Sequence, residues 1–269
     1  MLKKEQFFTS GQYHLHYRVM GKGSQSMLLF HGYGQDHRVF YQMATALGNQ
    51  YKLYCFDLLY HGQSSRPPVD KLITTHDWAS IIRHFLDVHC IDRTSLLGYS
   101  MGGRLVLSLV DTLSERISEL ILIAPDGIQS NQWYQFGSNT RLGRALLRRT
   151  IARPRLLFGL TGAARKYSIA PKSMLKFVEK RMRTRRDRYQ VYCTWIGLRG
   201  IRPRLSQVVE HCNRRSILVK IYVGQYDKIV KAKAMVLFHK KLSNSYLHLL
   251  PCGHNSLIHQ VAEHLSAER

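Results

Sequence analysis

Hydrophobic residues follow two spacings along the chain, and these predict strands separated by helices. Short apolar or alternating runs typical of strands occupy residues 12–19, 26–30, 51–58, 94–97 and 117–124. Apolar residues recur at three- and four-residue spacing within residues 75–89 and 104–112, as on one face of a helix. Alternating strands and helices predict an α/β fold, with a mostly parallel sheet covered by helices on both faces.

The pattern changes between residues 130 and 215, where only helical spacing is found. Residues 141–151 and 173–182 show it most clearly. Strand patterns return at residues 217–223 and 246–250, each followed by a helical pattern, at 232–241 and 257–268. We therefore predict a core of residues 1–128 and 216–269, interrupted by a helical insertion at residues 129–215.

Positive charge is concentrated in the same insertion. The chain of 269 residues has 40 Lys and Arg against 17 Asp and Glu, a net charge of +23, and residues 130–215 hold 21 of the former and 3 of the latter. Such a segment is either a solvated surface or a face that meets an anionic substrate, a membrane surface or a polyanion. No nucleic-acid motif accompanies the arginine run at 180–188, so nucleic acid is not an expected partner.

The cysteines and the start of the chain predict a cytoplasmic protein. The residues before position 20 lack the apolar core of a signal peptide, and no apolar run reaches the roughly 20 residues that cross a bilayer. The five cysteines are widely spaced and form no C-x-x-C pair, so we predict reduced thiols rather than disulfides or a zinc site. They are Cys55, Cys90, Cys193, Cys212 and Cys252.

One short segment predicts nucleophilic chemistry. Residues 98–102 read Gly-Tyr-Ser-Met-Gly, between an apolar strand and a helical pattern. This G-x-S-x-G arrangement in a strand–turn–helix context is that of a nucleophile elbow, a tight turn that presents the serine hydroxyl. The helix that follows begins with backbone N–H groups and a partial positive charge close to that hydroxyl. Ser100 is therefore the candidate nucleophile.

A serine nucleophile needs a base and a group that orients the base. Asp227 follows the strand at 217–223, and His254 follows the strand at 246–250. The carboxyl ends of parallel strands lie at one edge of a sheet, so these side chains can meet Ser100 there. Asp126, after the strand at 117–124, is the alternative acid.

Several landmarks together resemble the α/β-hydrolase superfamily with a helical cap. They are His31-Gly32-Tyr33-Gly34, residues 57–64 (DLLYHGQS), the Ser100 elbow, residues 224–227 and Gly253-His254. The resemblance implies that Ser100 is the nucleophile, His254 the general base and acid, and Asp227 the acid that orients His254. It also implies an oxyanion hole made by the backbone N–H groups of Tyr33 and Met101, with no cofactor.

The function expected from these residues is hydrolysis of a carboxylic ester or related acyl compound, with a small acyl substrate that could be anionic. One alternative is a C–C bond hydrolase, or a lyase similar to the menaquinone-pathway synthase that eliminates pyruvate; that group has an elbow similar to residues 98–104. Another is a non-catalytic protein that binds a ligand or partner. His14 and His16 share a strand face without an evident third ligand, so no metal site is predicted.

Overall fold

A computed structural model of the chain describes residues 6–69, 72–129, 132–168 and 172–267, without the side chains of residues 132–133, 172–174 and 177. Eight strands of the described residues form one sheet in the order β1-β2-β4-β3-β5-β6-β7-β8. β2 is antiparallel to β1 and β4, and the other neighbours are parallel. The strands are β1 Gln6–Ser10, β2 Tyr13–Met20, β3 Gln25–Phe30, β4 Tyr51–Phe56, β5 Thr94–Tyr99, β6 Ile117–Ile123, β7 Leu218–Gly224 and β8 Ser245–Leu250.

The centre of the sheet is covered on both faces. All six residues of β5 are buried, as expected of a parallel strand between two helical layers. α1 and α11 contact each other, and α2 and α9 both contact α3. The prediction of an α/β fold with a mostly parallel sheet is confirmed. The helices around the sheet are α1 Tyr41–Leu47, α2 Thr75–Val88, α3 Met101–Leu113, α9 Leu205–Arg214, α10 Ala232–His239 and α11 Leu257–Ala267.

A second compact unit contains the described residues of 66–73 and 130–200. Its helices are α4 Gln132–Asn139, α5 Arg141–Ala152, α6 Pro154–Lys166, α7 Lys172–Arg181 and α8 Arg185–Gly197. Thr140 caps the start of α5, and a reciprocal pair of Thr184 and Asp187 caps the start of α8.

None of the described helices in either unit combines the length and the apolar composition that a membrane-spanning helix requires.

The boundaries of the smaller unit differ from the insertion predicted at residues 129–215. α9 lies in the larger unit because it packs against α3. Residues 66–73 belong to the smaller unit, where the N–H of Ile73 donates to the carbonyl of Gly197 at 3.2 Å. Such pairings between distant residues leave no trace in local hydrophobic spacing.

Hydrophobic spacing did not predict two elements of the larger unit. The five-residue strand β1 pairs with β2 at the edge of the sheet, and α1 has only seven residues. Both are too short for a spacing pattern to stand out. α3 begins at Met101, three residues before the predicted start at 104, because the helix starts directly at the turn that contains Ser100.

Candidate active site

Ser100 lies in the sharp turn between β5 and α3. Its φ is +52°, a left-handed conformation that is unfavourable for a residue other than glycine. The turn is held on both sides, because the Ser100 N–H donates to the carbonyl of Ile123 at 2.9 Å and the Ser100 carbonyl accepts from the N–H of Asp126 at 2.8 Å. The strained turn is therefore fixed by its neighbours along β6.

Glycines allow this turn to pack against the sheet. A Cβ at Gly98 would lie 2.7 Å from the carbonyl oxygen of Gly102. A Cβ at Gly102 would overlap the carbonyl oxygen of Phe30, and one at Gly103 would overlap Pro125. The glycines of the motif are thus required by close contact between backbones.

The structure brings together the three side chains predicted to form a triad. Nε2 of His254 lies 3.0 Å from Oγ of Ser100, and Nδ1 of His254 lies 2.7 Å from Oδ2 of Asp227. An ionised carboxylate only accepts hydrogen bonds, so Nδ1 donates to Asp227. In the neutral ring Nε2 is then the acceptor that faces the Ser100 hydroxyl, which is the arrangement needed to remove its proton.

Asp227 is held as a buried carboxylate. Its side chain is fully buried, and its Oδ1 accepts from the N–H groups of Ile229 at 2.7 Å and Val230 at 2.9 Å. Burial by itself raises a carboxyl pKa, but the hydrogen bonds and charge of His254 together with these two N–H groups outweigh it. The pKa of Asp227 therefore lies below its ordinary value, and the group remains ionised at neutral pH.

Asp126, the alternative acid, has other partners. Its Oδ1 accepts from the N–H of Gly127 at 2.9 Å, and its Oδ2 lies 3.6 Å from Nε of Arg104. The structure thus brings Asp227, and not Asp126, to His254.

Contacts between the ends of β7 and β8 hold Asp227 and His254 at this spacing. The N–H of Gln225 donates to the carbonyl of Leu250 at 2.8 Å, and that of Tyr226 donates to the carbonyl of Cys252 at 3.1 Å. A Cβ at Gly224 would overlap the same Cys252 carbonyl. The two loops that carry Asp227 and His254 therefore form one hydrogen-bonded pair.

Tyr99 adds a link that sequence reasoning missed. Its hydroxyl donates to the backbone carbonyl of His254 at 2.8 Å, and its ring stacks on the His254 ring at 5.5 Å between centroids. Tyr99 directly precedes Ser100, so the same turn that positions Ser100 also holds the loop of His254. The tyrosine directly before Ser100 was the feature of the sequence that could have indicated this contact.

The segment predicted to supply Tyr33 to an oxyanion hole is fixed by His31. Nε2 of His31 accepts from the N–H of Leu58 at 3.0 Å, so Nδ1 carries the hydrogen and donates to the Gly32 carbonyl at 2.7 Å. Burial lowers the pKa of His31, in agreement with this neutral ring. A trans peptide holds its C=O and N–H on opposite sides, so the bond to Gly32 also sets the direction of the Tyr33 N–H.

Gly32 lies beside Ser100. A Cβ at Gly32 would be 3.3 Å from Cβ of Ser100, and its N–H donates to Oε1 of Gln35 at 3.0 Å. Met101, the other predicted donor, is the first residue of α3, where a backbone N–H has no acceptor within the helix. The roles of His31 and Gln35 were not predicted, because their partners are visible only in the folded chain.

A separate buried cluster surrounds Asp57. His16 and His37 contact the two carboxylate oxygens through Nδ1 at 2.8 and 2.9 Å, and the N–H groups of His37 and Gln63 donate to the same oxygens at 2.8 and 2.9 Å. Burial raises the carboxyl pKa, but these four hydrogen bonds outweigh it and hold the pKa of Asp57 below its ordinary value. Asp57 thus joins β2, the turn at residue 37 and the loop after β4.

His16, His37 and Asp57 are also near enough to one another to hold a metal ion, since their ligand atoms lie within 4.8 Å. The two rings, however, direct Nδ1 to the carboxylate, whose oxygens already accept four N–H groups. A cation there would displace those hydrogen bonds, so the contacts fit a structural cluster better than a metal centre. His14, paired with His16 in the sequence, instead contacts Oγ1 of Thr9 at 2.9 Å.

Comparison with known proteins finds relatives whose sequences match part of this chain. It is 26% identical over 110 residues to a pimeloyl-[acyl-carrier protein] methyl ester esterase of Aliivibrio salmonicida, covering 41% of this chain and 39% of that protein. It is 30% identical over 109 residues to a putative 2-succinyl-6-hydroxy-2,4-cyclohexadiene-1-carboxylate synthase of Bacillus subtilis, covering 39% of each. The chain therefore spans little more than a third of the length of these curated relatives.

A thermophilic esterase from Thermogutta terrifontis has a similar solved structure, with a TM-score of 0.71 and 16% identity over 99% of this chain and 97% of that one. This likeness concerns the fold. The sequence model of the alpha/beta hydrolase fold matches residues 25–260, which include the elbow, the loop of Asp227 and the loop of His254. Because that match extends over more than half of the sequence, the chain belongs to the alpha/beta hydrolase fold family.

Proposed function

We propose that this protein is a serine hydrolase that cleaves a carboxylic ester through an acyl-enzyme. The observation that carries the proposal is the continuous chain of contacts from Asp227 to His254 to Ser100, at 2.7 and 3.0 Å. That chain ends at a hydroxyl in a strained turn at the start of a helix, where a nucleophile can be presented to a substrate.

In the first half of the reaction, Oγ of Ser100 attacks the ester carbonyl while Nε2 of His254 takes its proton. The C–O bond to the alcohol then breaks, and the alcohol leaves with the proton held on His254. In the second half, His254 removes a proton from water, the hydroxide adds to the acyl carbon, and Ser100 leaves with that proton restored. Asp227 stabilises the imidazolium in both halves.

The negative charge that develops on the carbonyl oxygen needs donors fixed in advance. The proposed donors are the N–H of Met101, at the start of α3, and the N–H of Tyr33, whose direction is set through the contact of His31 with Gly32. Loss of one such donor in comparable sites costs about 3–4 kcal/mol of transition-state stabilisation. Resemblance to the methyl ester esterase of Aliivibrio salmonicida supports ester hydrolysis as the reaction.

The test is a panel of p-nitrophenyl esters of increasing acyl length, with fluorophosphonate labelling, on the wild type and Ser100→Ala. We expect turnover and a single labelled serine in the wild type and neither in the variant. The control is Ser118→Ala, because Ser118 is an exposed serine of β6 and should behave as the wild type. Labelling that persists in Ser100→Ala would refute the assignment of Ser100 as the nucleophile. Absence of both turnover and labelling in the wild type would favour a non-catalytic binding protein.

A second candidate is elimination of pyruvate, or C–C bond hydrolysis, at the same three residues. It is favoured by the similarity to the putative synthase of Bacillus subtilis, and an anionic substrate would suit the net charge of +23. Release of pyruvate from the substrate of that synthase, without turnover of any ester in the panel, would assign this activity instead.

A further inference from the structure

Helix α5 exposes leucine side chains that an isolated globular unit would bury. Leu142 is 71% exposed and Leu146 is 44% exposed, while the buried residues of the helix are Gly143 and Thr150. In an ordinary surface helix the large apolar residues face the core and small or polar ones face solvent. α5 departs from this arrangement at Leu142 and Leu146, although its Leu147 and Ile151 are half-buried.

Exposed leucines and arginines lie close together on two adjacent lines along α5. Helical spacing places Leu142, Leu146 and Arg149 on one line. The neighbouring line holds Arg141, Ala145, Arg148 and Ala152, and all seven side chains are exposed. The exposed face therefore combines apolar side chains and guanidinium groups at close intervals.

Helix α6, which contacts α5, carries the same combination. Phe158 is 38% exposed, and Leu160, which lies on a different side of the helix, is 46% exposed. The helix ends with exposed Lys166, whose Nζ lies 5.6 Å from the ring centroid of Tyr167, itself 66% exposed. Exposed apolar side chains on two neighbouring helices indicate a surface that meets another apolar phase.

The positive charge around these side chains is not neutralised locally. Residues 130–200 hold 17 Lys and Arg and two carboxylates. Glu179 pairs with Arg165, and Asp187 caps α8 by bonding with Thr184. Both carboxylates are thus engaged away from the arginines of α5. The charge that would complement this face is negative and is not supplied by the two carboxylates of residues 130–200.

We propose that the exposed residues of α5 and α6 bind the surface of an anionic phospholipid membrane. Leu142, Leu146 and Phe158 enter the boundary between headgroups and acyl chains, as the apolar face of an interfacial helix does. Arg148 and Arg149 pair with lipid phosphates, which guanidinium groups can bind through two parallel hydrogen bonds. A nucleic acid or another soluble polyanion would use the arginines but would leave the leucines in water.

Two double variants separate the apolar and electrostatic contributions to vesicle binding. Arg148→Gln with Arg149→Gln should weaken binding about 25-fold, because each cation near an anionic bilayer contributes about fivefold. Leu142→Ser with Leu146→Ser should weaken it about tenfold or more, because two leucine side chains no longer leave water. All four positions are exposed, so the variants should unfold at the wild-type temperature.

The measurement is co-sedimentation with phosphatidylcholine vesicles, with and without phosphatidylglycerol, at low and high salt. We expect binding only to the anionic vesicles, and weaker binding at high salt. The matched control is Leu237→Ser with Lys240→Gln, an exposed leucine and an exposed lysine at α10 of the larger unit. It should bind like the wild type.

Four results would overturn the proposal. Two concern the wild type, which would fail to bind anionic vesicles or would bind neutral vesicles equally well. In the other two, the control variant would lose as much vesicle affinity as the arginine and leucine variants, or the arginine variant would be the only one of the three to lose it. If the arginine variant alone lost affinity and soluble heparin bound equally well, the surface would be assigned to a polyanion. The proposal does not depend on catalysis, because Ser100→Ala should bind vesicles as the wild type does. Failure of vesicle binding and failure of ester hydrolysis are therefore distinguishable.

Discussion

The carboxylate of Asp227 lies 2.7 Å from Nδ1 of His254, although 27 residues separate them. A second aspartate, Asp126, follows the neighbouring strand β6 but lies beside Arg104. Two carboxylates thus occur at adjacent strand ends, and only one of them orients the imidazole. The difference between them can be measured.

Asp227→Asn should lower kcat for an ester about 10³- to 10⁴-fold, because an amide does not hold the imidazole in the tautomer that accepts the Ser100 proton. Asp126→Asn serves as the control and should change kcat only a few-fold. Steady-state kinetics on both variants check the assignment. Equal losses in the two variants, or a larger one in Asp126→Asn, would contradict it.

Tyr99→Phe should lower kcat about tenfold with little change in KM, because the hydroxyl that holds the His254 backbone is lost while the stacked ring remains. Tyr17→Phe is a suitable control, because the Tyr17 hydroxyl contacts His89 instead of the His254 loop. Steady-state kinetics of both variants on the same ester test whether the Tyr99 hydroxyl positions His254. An unchanged kcat in Tyr99→Phe would show that other contacts fix the His254 loop sufficiently.

His31→Ala should lower kcat about 10²-fold per active site, because the Gly32 peptide and the Tyr33 N–H lose their fixed direction. Active-site titration with a fluorophosphonate corrects for any unfolded fraction, which a purely structural role would increase without changing kcat per labelled site. If His31→Ala had the wild-type kcat per labelled site, His31 would not be needed to position the Tyr33 N–H.

Gly102→Ala should prevent folding or strongly destabilise the protein, because the new methyl group would overlap the Phe30 carbonyl. Gly159→Ala is the matched control. Nothing lies within 4 Å of the position where its Cβ would be, so it should raise stability by about 0.5–1 kcal/mol. Thermal unfolding of both variants, followed by circular dichroism, tests the comparison. A Gly102→Ala protein as stable as the wild type would contradict the packing of the elbow.

Asp57→Asn should reduce the free energy of unfolding by about 3–5 kcal/mol at neutral pH, because an amide cannot accept all four N–H donors. The folded pKa of Asp57 lies below its unfolded value of about 3.9, so its contribution is complete above that pH and is lost as the pH falls towards the folded pKa. Urea unfolding between neutral and acid pH should therefore show a steeper loss in the wild type than in Asp57→Asn. Parallel curves would argue against this linkage.

Local patterns in the sequence were sufficient for most of the sheet, for the turn at Ser100 and for the residues that meet there. Apolar spacing identified seven of the eight described strands, because strands that are buried on one or both faces must be apolar at fixed intervals. The glycines around Ser100 marked the elbow, because no other residue fits against Phe30 and Pro125. Position after a strand then placed Asp227 and His254 at the same sheet edge.

Local patterns were insufficient where a contact joins distant residues of ordinary type. Hydrophobic spacing does not show that Ile73 pairs with Gly197, that α9 packs on α3, or that His16 and His37 share the carboxylate of Asp57. It also does not show that the Tyr99 hydroxyl holds the His254 backbone.

The sequence by itself determined which residue types stand at the strand ends, and therefore the kind of chemistry that we propose for this chain. The resemblance implied that Asp227 orients His254, and the tertiary structure shows the contact between them. Only the tertiary structure shows how the Gly32 peptide is held. The reason is physical: strand periodicity follows from burial of neighbouring residues, which is local, whereas a hydrogen bond depends on atomic positions set by the packing of the whole sheet.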